Sequence, residues 1–305
     1  MPTPPADLPI DLDLVRALLR AQSPGLADLP LTPFRGGWDN VHFRLGDSLL
    51  IRMPRRRLAV DLIRNELRWL PTIAPHLWGA TPVPAFEGAP GQGYPWPWAI
   101  VAFVPGTPAG ELPVEQRAEA AEPLADFFSS LHTPAPLGAP ENPVRGMSID
   151  RPELDQRVRE RLTRLEDGPR AALTERWDAW RHAPEWDSPD VWLHGDPHPY
   201  NMILDDDGRL AGVIDWGDLT AGDPACDLAT AWLTFDAPAR RVFVDRTNLY
   251  GRFDTATWDR ARAWAIHLGL IFALESDEPG LRRCGEHALR ETLAEPVHAS
   301  ALLTA

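Results

Sequence analysis

Between Trp192 and Trp216 the chain reads WLHGDPHPYNMILDDDGRLAGVIDW and gathers His194, Asp196, His198, Asn201 and Asp215. Two chemistries fit these residue types. In the first, His194, Asp196 and His198 ligate zinc or a two-metal centre and the protein is a metal-dependent hydrolase. Such centres draw on further His or Asp ligands, and the seven other histidines of the nine in the chain show no ligand-like grouping. In the second, Asp196 accepts the proton of an acceptor hydroxyl while Asn201, five residues on, and Asp215 hold Mg²⁺, which is the equipment of phosphoryl transfer. Amide and carboxylate oxygens are hard ligands suited to Mg²⁺. Apolar Met202 to Leu204 and Leu210 to Ile214 flank an Asp-Asp-Asp-Gly turn, so a hairpin returns the third donor to the first two. The spacing favours the second chemistry.

Such a hairpin needs a framework on both sides. A helix is expected over residues 11–21. The alternation of Val41, Phe43 and Leu45, a Gly-Asp-Ser turn, then Leu49 and Ile51 predicts a β-hairpin. Gly36 and Gly37 precede it, and glycines at such a turn let backbone N–H groups approach phosphates closely. Arg52 closes the next strand as a cation able to grip phosphates. In LAVDLIRNELRWL, Val60, Ile63, Leu67 and Leu70 fall at helical spacing, with Glu66 on the edge of the apolar stripe where it can pair with Arg52. The apolar strand Trp98 to Val104 ends in Pro105-Gly106, which reads as a hinge and divides the chain into lobes at 1–104 and 105–305.

Beyond the hinge the pattern turns helical. EQRAEAAEPLADFFSSLH places Ala118, Ala121, Ala125, Phe128 and His132 on one stripe and predicts a single core helix, with His132 a buried structural residue. A loop over 133–149 rich in Pro and Gly follows, then polar helices near 151–166 and 171–182. Asp223 before Pro224 reads as an N-cap, with Asp227 in the opening turn, and further helices are expected at 238–250, 256–275 and 279–294. Strands first and helices after give an α+β fold of two lobes.

Composition narrows the function. The basic residues number 30 and all are arginine, so a Schiff-base lysine, a pyridoxal-phosphate lysine and a Walker A lysine are excluded together. A net charge of −14 argues against nucleic acid as the main partner and suits a cationic ligand better. No apolar run is long enough to span a bilayer, and the N-terminus carries Pro and Asp where an export signal has basic then apolar residues. A cytoplasmic location without membrane attachment is expected, with Cys226 and Cys284 as core thiols.

HGDPHPYN, followed by GVIDWGD and GDPACDLA, resembles the signature of the aminoglycoside phosphotransferase family, a branch of the protein-kinase-like fold. The likeness runs in family order from the glycine turn through the Arg52 strand, the Glu66 helix and the Pro-Gly hinge to these three motifs. It implies a bilobal fold, with an N-terminal antiparallel sheet plus helix and a mainly helical C-terminal lobe. Asp196 would then orient or deprotonate the acceptor hydroxyl, His194 would brace the loop, Asn201 and Asp215 would ligate Mg²⁺, and Asp227 would buttress the catalytic loop. Gly36 and Gly37 would cover ATP or GTP, Arg52 and Glu66 would serve the phosphates, and the backbone at Ala102, Phe103 and Val104 would bind the purine. Arg52 stands where the family usually has lysine, Pro197 replaces a leucine and Tyr200 a glycine. The acceptor would be a small-molecule hydroxyl. Acidic Asp150, Glu153, Asp218, Asp236, Glu275 and Asp277 suit a polycationic aminoglycoside, whereas the 13 tryptophans suit a macrolide wall; sugars and amino alcohols are further options. Retention of the base and both metal ligands speaks against a catalytically dead nucleotide-binding module. Monomer and homodimer are both open.

Overall fold

The computed structural model of the protein describes residues 4–297. Asp11 caps helix α1 (Leu12–Gln22), which buries Val15, Leu18 and Leu19. Strands β1 (Leu31–Pro33), β2 (Asn40–Leu45), β3 (Leu49–Pro54), β4 (Pro84–Gly88) and β5 (Trp98–Ala102) form one antiparallel sheet in the order β1-β2-β3-β5-β4. The expected hairpin is β2–β3, closed by Leu45 opposite Leu49 around Gly46 at φ +59°. Phe43, Leu45, Ile51 and Met53 bury one face against α1. Helix α2 (Val60–Ile73) covers the sheet with Val60, Ile63, Glu66, Leu70 and Ile73 buried. Glu66 therefore occupies a core position.

Short β6 (Thr107–Pro108) follows the hinge and pairs with β8 (Met202–Leu204), which pairs with β9 (Leu210–Val213). β7 (Val191–Leu193) pairs with β10 (Thr220–Gly222). Around these lie α3 (Ala121–Leu131), α4 (Pro152–Leu162), α5 (Asp167–Arg181), α6 (Ala225–Leu228), α7 (Thr230–Thr234), α8 (Ala237–Thr247), α9 (Thr255–Glu275) and α10 (Pro279–Ala294). α9 runs through the middle of this larger body and is buried on nearly every side. Among the described residues no helix is long and apolar enough to cross a membrane.

Three local expectations are corrected. The single helix over 115–132 is a 3₁₀ segment, Val114–Ala120, followed by α3, and Ala118 is exposed. Pro123 lacks an N–H and its ring would strike the carbonyl four residues back, so an α-helix can only begin just ahead of it. Pro224, one residue beyond Asp223, is the N-cap of α6. Asp223 still accepts from the Ala225 N–H at 3.0 Å, but its carboxylate is mainly committed to buried Arg260, 2.6 Å away. The strand expected over 98–104 ends at Ala102, where its partner β3 begins at Leu49; the Phe103 N–H makes one further bond in the same register, to the Ser48 carbonyl at 2.8 Å, before Pro105 and Gly106 turn the chain.

Candidate active site

The β7–β8 connection is built around Asp227. Its carboxylate accepts from the His194 N–H at 2.8 Å and the Gly195 N–H at 2.9 Å, and lies 3.2 Å from the Nε2 of buried His132. Two amides that no strand partner reaches are thus satisfied by one fully buried side chain on α6. His194 ties the same loop to β9, with Nε2 3.0 Å from the Ile214 carbonyl, while Nδ1 accepts from the Asp196 N–H at 3.3 Å. Asn201 Nδ2 donates to the Asp196 carbonyl at 2.9 Å, and the Asn201 carbonyl accepts from Ile214 N–H at 2.9 Å. These bonds bring Asp196, Asn201 and Asp215 to one end of the β8–β9 hairpin. Asp215 itself sits at φ +62°, an uncommon conformation for a non-glycine residue and one that marks functional sites.

His194 uses both ring nitrogens on backbone, and His198 Nδ1 accepts from Tyr200 N–H at 3.2 Å with Nε2 3.4 Å from Asp196. With these lone pairs turned to N–H groups, neither imidazole is presented as a metal ligand, and the hydrolase alternative loses its two nitrogen donors. Asp196 has Arg145 Nη2 3.3 Å from Oδ1. Burial opposes its ionisation, but the fields of His198, Arg145 and His194 prevail and hold the carboxyl well below the usual range. Asp218 takes an Asn142 Nδ2 bond of 2.7 Å, yet burial and the neighbouring Asp196 charge push its carboxyl upward.

Facing this loop across the cleft, Arg52 Nη1 donates to Glu66 Oε1 at 2.7 Å and Nη2 to Asp215 Oδ1 at 2.9 Å. The expected Arg52–Glu66 pair forms, and the same guanidinium reaches the far lobe. One cation thus serves two carboxylates. Burial, together with the Asp215 charge and despite Arg52, raises Glu66 to about 7. His42 lies opposite Arg52 in the β2–β3 ladder, its Nδ1 2.9 Å from the Arg35 carbonyl; burial and Arg52 lower its pKa to about 4.

Gly36 and Gly37 lie in the turn between β1 and β2. A Cβ at Gly36 would come no nearer than 3.9 Å to Asn40 O, and at Gly37 no nearer than 3.5 Å to His42 Cε1, with neither at positive φ. The fold alone does not require glycine at either position. At the hinge, the Phe103 N–H is spent on Ser48, its ring meets Phe34 edge-on at 5.7 Å, and Arg44 covers it at 3.4 Å; Ala102 is exposed and Val104 buried.

The proposed acidic face is largely engaged. Asp150 pairs with Arg181, Glu275 with Arg161, Asp218 with Asn142, and Asp236 caps α8. Tryptophans 98, 177, 180, 216, 232 and 264 are fully buried core residues. Sequence reading passed over Arg145, His42 and Phe34. His42 was recoverable from the hairpin register with Arg52, whereas Arg145 lies in an aperiodic Pro-Gly loop that carries no signal of its partner.

The profile described as Phosphotransferase enzyme family matches residues 30–264. Viomycin phosphotransferase of Streptomyces vinaceus is 31% identical over 256 residues, 79% of this chain and 86% of that relative. The uncharacterized protein YcbJ of Bacillus subtilis (strain 168) is 28% identical over 138 residues, 40% of this chain and 44% of that relative, so that alignment spans less than half of it. Among solved structures, the GDP and kanamycin complex of APH(2")-IIia superposes with a TM-score of 0.68 at 18% identity, over 91% of this chain and 97% of that one. At that identity the likeness speaks for the fold.

Proposed function

This chain belongs to the phosphotransferase enzyme family, and from that premise we propose that it moves the γ-phosphoryl group of ATP or GTP to a hydroxyl of a small molecule, with Asp196 at the acceptor. The observation that supports this reading is the Arg52 bridge, 2.7 Å to Glu66 and 2.9 Å to Asp215, which joins a cation able to bind phosphate to one of the two candidate metal ligands. The acceptor oxygen attacks the terminal phosphorus, an O–P bond forms, and the bond to the bridging oxygen breaks. Nucleoside diphosphate leaves with the electron pair, and the hydroxyl proton passes to Asp196. A carboxyl held well below its usual range is ionised at neutral pH and serves first to aim the hydroxyl. A loose phosphoryl transition state asks for little more.

Asn201 and Asp215 would hold Mg²⁺. The donor set fits: the Asn201 amide nitrogen is committed to the Asp196 carbonyl, which leaves its oxygen for the metal, and the Asp215 side chain is 47% exposed. When bound, the ion neutralises phosphate charge. The Gly36-Gly37 turn would lie over the phosphates, consistent with glycines that the fold itself does not need. Hinge groups at Ala102 and Val104, with the Phe103 carbonyl, would meet the purine edge.

For the acceptor we infer an antibiotic-like small molecule that carries the reacting hydroxyl, in keeping with the viomycin phosphotransferase relative. Residues 1–104 would form the nucleotide lobe and 105–305 the catalytic lobe, in a cytoplasmic enzyme. Incubation with Mg²⁺, ATP or GTP and a panel of viomycin, aminoglycosides, macrolides, sugars and amino alcohols should give acceptor-dependent nucleoside diphosphate. Asp196→Ala should cut kcat by about 10²–10⁴-fold; undiminished turnover by this variant would remove Asp196 from the reaction.

A further inference from the structure

Residues 140–146 form a strap across the catalytic loop, fastened almost wholly by its backbone. The Pro140 carbonyl accepts from Thr220 Oγ1 at 2.9 Å and from Ala221 N–H at 3.1 Å, and Asn142 N–H donates to Thr220 Oγ1 at 3.0 Å. Asn142 Nδ2 donates to Asp218 Oδ1 at 2.7 Å, and Asp223 N–H to the Gly146 carbonyl at 3.0 Å. Three glycines let these segments touch. A Cβ at Gly222 would lie 2.1 Å from Gly146 O, one at Gly146 2.7 Å from Leu193 Cδ1, and one at Gly195 2.2 Å from Asp218 O.

From this strap Arg145 reaches Asp196 Oδ1 at 3.3 Å, with its side chain only 14% exposed and its Nε buried without a partner. The guanidinium Nη1 also donates to the strap's own Val144 carbonyl at 3.2 Å, but none of the bonds that fasten the strap to residues 218–223 uses it. The other carboxylate oxygen, Oδ2, faces His198 Nε2 at 3.4 Å, and His198 is itself pinned by Tyr200 N–H at 3.2 Å. Each oxygen of Asp196 therefore meets one donor on a fixed backbone, which sets the plane of the carboxylate and leaves its other lone pairs to the cleft.

We propose that Arg145 is a positioning residue for phosphoryl transfer, holding Asp196 in the orientation that receives the acceptor hydroxyl. This role presupposes the kinase reading of Asp196. The fold keeps a buried arginine here although the strap is already secured, and a loss of orientation at the base is felt in the chemical step more than in nucleotide binding.

The test measures Mg²⁺-dependent nucleoside diphosphate release from ATP and GTP, with viomycin as acceptor and with water alone, beside the melting temperature. Arg145→Gln should lower kcat about 10–100-fold with nucleotide KM within about twofold and the melting temperature unchanged. Arg145→Lys, which keeps the charge without the planar fork, should recover part of kcat. Should Arg145→Gln melt low, the lysine variant carries the test on the same kcat and KM readings. Asn142→Ala separates strap from side chain: a fall in kcat that tracks melting temperature across all three variants would mean a merely structural role and overturn the proposal. Wild-type kcat in Arg145→Gln overturns it as well. Asp196→Asn is the control for the underlying reading. If that variant turns over like the wild type, or the wild type is inactive on every arm, the kinase reading fails and Arg145's role with it; a dead Asp196→Asn beside a fully active Arg145→Gln sinks the positioning role alone.

Discussion

At the scale of single residues, Arg52 concentrates the most consequence. A lysine ammonium is one point of charge, whereas the guanidinium spends Nη1 on Glu66 and Nη2 on Asp215 and joins β3 and α2 to the end of the β8–β9 hairpin. Glu66 is 1% exposed, its Oε2 has no partner, and its pKa is already raised to about 7. Removing the cation in Arg52→Met raises it further above the unfolded value. A carboxyl so shifted contributes stability that is present below the unfolded pKa and lost as pH rises through the folded one. The variant should therefore be destabilised by about 3 kcal/mol at pH 8 and by less at pH 6. Adding Glu66→Gln should flatten that dependence. Urea unfolding at the two pH values decides it, and equal losses at both would rule out an uncompensated Glu66 charge as the cause.

At the scale of elements, two groups of glycines behave differently. Gly195 stands at φ +86° with Asp218 O 2.2 Å from where a Cβ would lie, and that oxygen is backbone that cannot step aside. Gly195→Ala should cost about 2–4 kcal/mol and distort the loop that carries Asp196. At Gly36 a Cβ would meet only Asn40 O at 3.9 Å, an ordinary contact, and φ is ordinary. Gly36→Ala should leave the melting temperature within about 1 °C, a change under about 0.5 kcal/mol, and instead raise nucleotide KM, because the backbone there would then stand off the phosphates. Thermal melts and steady-state kinetics on the two variants make the comparison; a Gly36→Ala protein with unchanged nucleotide KM would remove that turn from the nucleotide site. Elements that read clearly in the sequence were those with one dominant period: α1, the β2–β3 hairpin, α9 and α10 all fall within about a turn of their expected bounds. The helix over 115–132 did not, because a proline inside an apolar stripe resets the register without erasing the stripe.

For the whole molecule, burial decides how charge behaves. His132, His267 and His287 lie in the larger core and partly buried His42 stands beside Arg52 on the neighbouring strand, and all four have pKa values lowered chiefly by burial, His42 to about 4. Each is neutral in the folded protein and takes a proton when unfolded below about pH 6.5. Stability from these groups is complete above that pH and falls as pH drops toward their folded values. Glu66 and Asp218, both raised, act in the opposite direction, two groups against four. The melting temperature should fall by several degrees from pH 7 to pH 5, and His132→Gln should lessen the fall; a flat profile would mean that these histidines are not neutral in the fold. Arginine, the chain's sole basic side chain apart from histidine, is used in the same interior, with Arg260 on Asp223 at 2.6 Å and Arg262 on Glu295 at 3.0 Å.

The order of motifs, the two-lobed α+β class and the set Asp196, Asn201 and Asp215 were determined by the sequence alone, because local periods and a short hairpin bring those residues together whatever surrounds them. Only the tertiary structure decided that Asp227 holds the His194 and Gly195 amides, that Arg52 is shared between two carboxylates, and that Arg145 lies against Asp196. It also decided that most of the acidic residues offered to a cationic acceptor are already paired. Contacts between residues 32 to 163 positions apart leave no period in the chain. Their existence depends on which backbones can approach, and here glycines at 146, 195 and 222 set that approach.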